Sequence, residues 1–131
     1  MPISIVQRSA ANNFAVNTSP QTISYASAPT IGNTLMFLGW THWFGNYPTI
    51  STPGATWTWQ VSAYNASNAG LYGVAWTLQN FPVGASNAIT VSWGGNANLY
   101  YSIYELTPCA FDQSGTNSSG AGTASPLLSG S

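Results

Sequence analysis

The chain has 131 residues, of which 44% are hydrophobic and 14% aromatic, while charged residues make up only 2% and the formal net charge is −1. That length suits a single domain with a real core, but the charge content, against roughly 25% in an ordinary soluble domain, excludes whole classes of partner. Arg8 is the only strong cation and Glu105 and Asp112 are the only acids, so the chain has almost nothing with which to neutralise phosphates or anionic lipid, and neither a nucleic-acid nor a membrane partner is expected.

In chain order, Ile3 to Val6 and Phe14 to Val16 are short strand candidates, and Thr22 to Ala26 alternates around Ile23 and Tyr25. "TLMFLGW" (34–40) is apolar on both faces, the pattern of a central strand. "HWFGNYPT" (42–49) is too marked by Gly and Pro to be all strand, so it reads as a long aromatic loop. In "ATWTWQVSAY" (55–64), strict alternation puts Trp57, Trp59, Val61 and Ala63 on one face. "LYGVAWTL" (71–78) likewise groups Tyr72, Val74, Trp76 and Leu78.

Residues 87–106, "NAITVSWGGNANLYYSIYEL", read as a hairpin. Ile89, Val91 and Trp93 share a face, Gly94 to Asn98 supply residues tolerant of positive φ, and Leu99 to Leu106 return. The return strand has Leu99, Tyr101 and Ile103 on one side and Tyr100, Tyr104 and Leu106 on the other, so both faces are expected to be covered, one by the core and one by a neighbouring subunit. No amphipathic helix stands out. Seven or eight short strands separated by turn signals predict an all-β antiparallel sandwich, jelly-roll-like, over residues 1–108. Residues 109–131 form a Gly/Ser/Thr-rich extension.

The lone Cys109 offers no internal disulfide. Neither a transmembrane run nor the basic and apolar regions of a signal peptide stand out. Asn-x-Ser/Thr triplets at Asn17, Asn65 and Asn117 are what chance produces in a chain this rich in those residues. Low net charge leaves little self-repulsion, so the surface is expected to pack against copies of itself or a partner.

Catalytic chemistry finds little support. His42, the only histidine, reads as a stacked or hydrogen-bonded structural residue. A His42–Cys109 dyad has no cation or helix terminus to activate the thiol. A two-carboxylate glycosidase would need both Glu105 and Asp112 at a fixed separation, with Asp112 in the extension. Glu105 reads instead as a partner of Arg8 or a hydrogen-bond acceptor at a strand end. No zinc ligand set, phosphate loop or nucleophile elbow is present, so no catalytic residue, metal or cofactor is assigned.

Neutral glycans suit a neutral, aromatic surface, because sugar C–H faces stack on aromatic rings while Asn, Gln and Ser bind hydroxyls. The candidate contact residues are His42, Trp43, Phe44, Asn46 and Tyr47 in the 42–49 loop. The alternative is that these side chains anchor the loop or fill a subunit interface.

The order of Gly32-Asn33-Thr34-Leu35, Trp57-Thr58-Trp59, Val74-Ala75-Trp76, Gly84, Ile89-Thr90-Val91 and Glu105 resembles that of β-sandwich modules in phage virion proteins and bacterial surface proteins. The likeness covers about residues 30–126. It departs at the C-terminus, where such modules usually continue into further strands. The resemblance implies a non-enzymatic role on a virion or cell surface. A capsid decoration (cement) protein of a tailed phage is the leading expectation, with the major capsid protein and copies of itself, as a trimer for instance, as partners. In that setting residues Met1 to Val16 and the extension after Pro108 would be arms reaching neighbours. A carbohydrate-binding module or adhesin, displayed on a virion or cell surface or secreted, is the alternative.

Overall fold

The computed structural model describes residues 2–9, 13–15, 18–42, 46–65, 70–94 and 97–110. They form nine strands: β1 (Ile5–Arg8), β2 (Asn13–Ala15), β3 (Gln21–Ser24), β4 (Thr34–His42), β5 (Thr49–Ser51), β6 (Thr58–Asn65), β7 (Leu71–Leu78), β8 (Ala88–Ser92) and β9 (Asn98–Leu106). Two antiparallel sheets face each other as a sandwich. The larger runs β1-β9-β4-β7-β6, with β2 also pairing β9, and the smaller runs β3-β8-β5.

Alternation along each strand explains the layering. Leu35 and Phe37 of β4, Leu99 and Ile103 of β9, and Val74 and Leu78 of β7 turn inward to meet Ile23, Ile89 and Val91 of the smaller sheet. Trp57, Phe81 and Trp93 fill in from the connections. β4 lies between β9 and β7, as its two apolar faces predict. Gly39 of β4 leaves room for the ring of Phe37, which stacks on Tyr101 with centroids 6.3 Å apart.

The 87–106 segment is not a hairpin. β8 pairs with β3 and β5 in the smaller sheet, whereas β9 pairs with β4, β1 and β2 in the larger. The turn residues do permit a reversal, but both strands present a strongly apolar row, and opposing those rows across the core buries more than pairing them edge to edge. Trp93 pins the crossing: its Nε1 donates to the Ala97 carbonyl at 2.6 Å, with both residues buried.

Strict alternation also fails in β6. The pairing with β7 shifts register between Trp59 and Val61. This bulge returns Trp59 to the face that carries Ser62 and Tyr64, while Val61 and Ala63 turn outward. The turn before it is set by Pro53 and Gly54. Ala55 donates to the Thr52 carbonyl at 3.2 Å, and Gly54 takes φ +81°, which a residue with a Cβ rarely adopts.

The N-terminal arm is corrected as well. β1 and β2 both pair with β9 of their own chain rather than being left to reach a neighbour. At the other end the Thr34 hydroxyl donates to the Cys109 carbonyl at 2.7 Å and accepts from the Cys109 amide at 3.2 Å. The rest of the expected extension, residues 111–131, lies outside the described residues.

Glu105 acts as the expected acceptor and not as a partner of Arg8. It is 1% exposed and faces inward on β9. Its carboxylate accepts from the Thr30 amide at 2.8 Å, from Asn33 Nδ2 at 2.6 Å and from Gln7 Nε2. Arg8 follows Gln7 on β1 and is exposed opposite Tyr104 on the other face. The Gly32-Asn33 strand entry and the late acidic residue, separate marks in the sequence, thus touch in the fold.

Candidate functional site

Three side-chain bonds align the sheets. The Tyr25 hydroxyl donates to the Tyr104 carbonyl at 3.0 Å, tying the end of β3 to β9. On the opposite flank Trp57 Nε1 donates to Thr52 Oγ1 at 3.0 Å, and Trp76 Nε1 donates to the Pro48 carbonyl at 3.1 Å, tying the two ends of β5 to β6 and β7. The smaller sheet has three strands, and Trp59 and Tyr64 on the inward face of β6 stay about half exposed. The inward face of β6 is left as an open shelf beside the core.

That shelf is aromatic. Trp59 and Tyr64 of β6 stand opposite Trp76 and Tyr72 of β7 in the ladder, and Tyr47, just before β5, leans over them. The rings make an unbroken series of contacts. Tyr64–Tyr72 centroids are 4.7 Å apart, Tyr72–Tyr47 5.2 Å in a T-shape, Tyr47–Trp59 6.0 Å, and Trp59–Trp76 5.8 Å with planes 26° apart. Trp59 is 49% exposed and Tyr64 51%, while Tyr47, Tyr72 and Trp76 are partly buried. Burial first, then the neighbouring Tyr64 and Tyr47, raises the Tyr72 hydroxyl above its ordinary pKa.

Among the described residues singled out in the sequence, Tyr47 alone belongs to this shelf. Asn46 is exposed beside it, and its carbonyl accepts from the Thr41 hydroxyl at 3.0 Å. His42 ends β4 on the opposite, outer face, across from Asn98. Trp43 and Phe44 lie outside the described residues. Trp59, Tyr64, Tyr72 and Trp76 read in the sequence as ordinary strand positions, with no motif to mark a shelf there. Their one available signal was the density of aromatic residues at 57–64 and 72–76. Only the bulge brings Trp59 and Tyr64, five positions apart, onto one face.

His42 and Cys109 sit at opposite ends of β4, roughly 26 Å apart along the strand. Glu105 is committed to its three donors, which outweigh the upward push of burial and hold its carboxyl below the usual range. Asp112 lies outside the described residues. Among the described residues no three His, Cys, Asp or Glu side chains converge in a way that could hold a metal. What the geometry can do chemically is stack and hydrogen-bond an uncharged ligand. No family model matches this chain, no curated protein matches it, and no solved structure matches it.

Proposed function

We propose that this chain is a non-enzymatic surface module that holds neutral glycans on the shelf built from Trp59, Tyr64, Tyr72, Trp76 and Tyr47. The observation that carries this reading is the continuous ring series with two half-exposed members on the open inward face of β6. Aromatic faces stack against sugar C–H groups, and the phenol hydroxyls with Ser62 offer hydrogen bonds to sugar hydroxyls. Clustered exposed rings mark a contact site more often than a chance surface. Titrating the protein with soluble neutral polysaccharides while following tryptophan fluorescence tests it. Quenching that Trp59→Ala abolishes is the expected result, and emission unchanged at saturating polysaccharide contradicts the reading.

A second reading, a capsid decoration protein of a tailed phage, draws on a different face. The outer side of the larger sheet carries Met36, Leu38 and Trp40 of β4 beside Tyr100 and Tyr104 of β9. Trp40 is 42% exposed and stacked on Tyr100 at 5.7 Å. An apolar row on the outer side of two central strands suits packing against the major capsid protein or copies of this chain. Apolar burial would supply the association, at about 25 cal/mol per Å² before ordering costs. The two readings are compatible, because a virion component can also hold glycans at a host surface. Density-gradient fractions of the source material decide this one. Sedimentation with the coat protein at a fixed, high copy ratio supports it, and protein left at the top of the gradient contradicts it.

A further inference from the structure

We infer that the shelf takes a linear neutral oligosaccharide lying along β6, in contact with Trp59 and Tyr64 together, and not a single sugar ring. This inference rests on the glycan reading and gives it a size and a charge.

The size comes from the ladder. Trp59 pairs with Trp76 and Tyr64 with Tyr72, and those β7 partners are four residues apart. At about 3.3 Å per residue, the two half-exposed rings are separated by roughly 13 Å along the strand. One six-membered sugar ring cannot bridge that distance, whereas a short chain of linked rings can. Nor is the gap between them empty. Tyr72 touches Tyr64, Tyr47 touches Tyr72 and Trp59, and Ser62 shares the same face of β6. The platform is therefore continuous in apolar surface, with hydroxyl groups set along it.

The charge comes from what surrounds the shelf. Among the described residues the only full charges are Arg8 and Glu105. Both lie on the β1–β9 side of the sheet, with β4 and β7 between them and β6. Three strand spacings place Glu105 roughly 14 Å away and a fourth places Arg8 roughly 19 Å away, and Glu105 is buried as well. A uronic acid, sulfate or sialic acid on the shelf would lose hydration and find no counter-charge, so neutral sugars are favoured. A protein occupant is disfavoured by dimensions. The shelf is two strands wide and about 13 Å long, still far below the area of a stable protein interface.

The test uses the full chain. An array of neutral and acidic glycans identifies a binder, and a ladder of that binder from the monosaccharide to the hexasaccharide is then titrated against the wild type, Trp59→Ala and Tyr64→Ala. The inference predicts affinity rising about tenfold or more from the monosaccharide to a chain that spans both rings, with either substitution flattening the rise and acidic analogues binding more weakly. A monosaccharide bound as tightly as the hexasaccharide overturns the inference but leaves the glycan reading standing. An array with no binder overturns both. If no glycan binds and Trp59→Ala changes the sedimentation of the chain alone, the shelf is a contact between copies.

Discussion

Trp59 lies over Trp76 across the β6–β7 ladder, at 5.8 Å and 26° between planes, with Trp76 anchored by its indole to the Pro48 carbonyl. The anchored ring belongs to the fold, and the half-exposed ring is available to a ligand. Trp59→Ala should cost only about 1 kcal/mol of stability, the worth of an exposed aromatic pair, while removing the response to glycan. Trp57→Ala, two residues earlier, removes a buried indole bonded to Thr52 and should cost about 3–5 kcal/mol. Urea denaturation of the two variants checks the contrast. Similar losses in both would put Trp59 in the core.

Glu105 fastens β9 to β1 through Gln7 and to the entry of β4 through Thr30 and Asn33. Glu105→Ala strands three donors in a buried site and should cost about 3 kcal/mol or more. Its carboxyl titrates below the ordinary range in the fold. Its contribution is therefore fully present above the unfolded value, about 4.3, and is lost as pH falls through the lowered folded value. Stability measured at neutral pH and at successively more acid pH should fall more steeply in the wild type than in Glu105→Gln. Parallel curves would show that the carboxylate does not set the acid limit.

Gly39 is required by packing rather than by backbone conformation. A Cβ there would lie 2.5 Å from Phe37 Cε1 and 2.6 Å from Cζ, and Phe37 is fully buried against Tyr101. Gly39→Ala should cost about 1–3 kcal/mol through overpacking and leave Trp59 and Tyr64, on β6 two strands away, in place. A thermal melt unchanged from wild type would mean the Phe37 ring has another place to go.

Binding on the shelf should be nearly indifferent to salt. With no described charge on β6 or β7, shortening the screening length from roughly 30 Å to 3 Å, between about 0.01 and 1 M salt, should change affinity by less than about twofold. Titrations at the two ends of that range check it. A steep loss at high salt would point to a charged partner.

The layers of this fold were legible because alternation survives in β4, β7 and β9. Leu35 and Phe37, Tyr72 and Trp76, and Leu99 and Ile103 each face as period two dictates. Sheet membership was not legible, since the Gly94–Asn98 turn chemistry serves equally for a hairpin or for an arch between sheets. Only the long-range pairing of β8 with β3 decides between them. The shelf was hidden for a related reason. A one-residue bulge after Trp59 reverses which side chains share a face, and no residue type in "TWQVSAY" announces it. The more conspicuous aromatic signal in the sequence is the 42–49 loop, whose Gly and Pro mark irregular backbone. Among the described residues of that loop, Tyr47 reaches the shelf.

The central claim is that ligand contact occurs at the Trp59–Trp76 end of β6 and β7. The six tryptophans each give an indole N–H signal in a nitrogen–proton correlation spectrum, assignable by single substitution. Adding a neutral oligosaccharide should shift the Trp59 and Trp76 signals and leave those of Trp57 and Trp93 in the core, and of Trp40 on the outer face, in place. A spectrum in which Trp40 moves and Trp59 does not, or in which none moves at saturating sugar, would contradict the account.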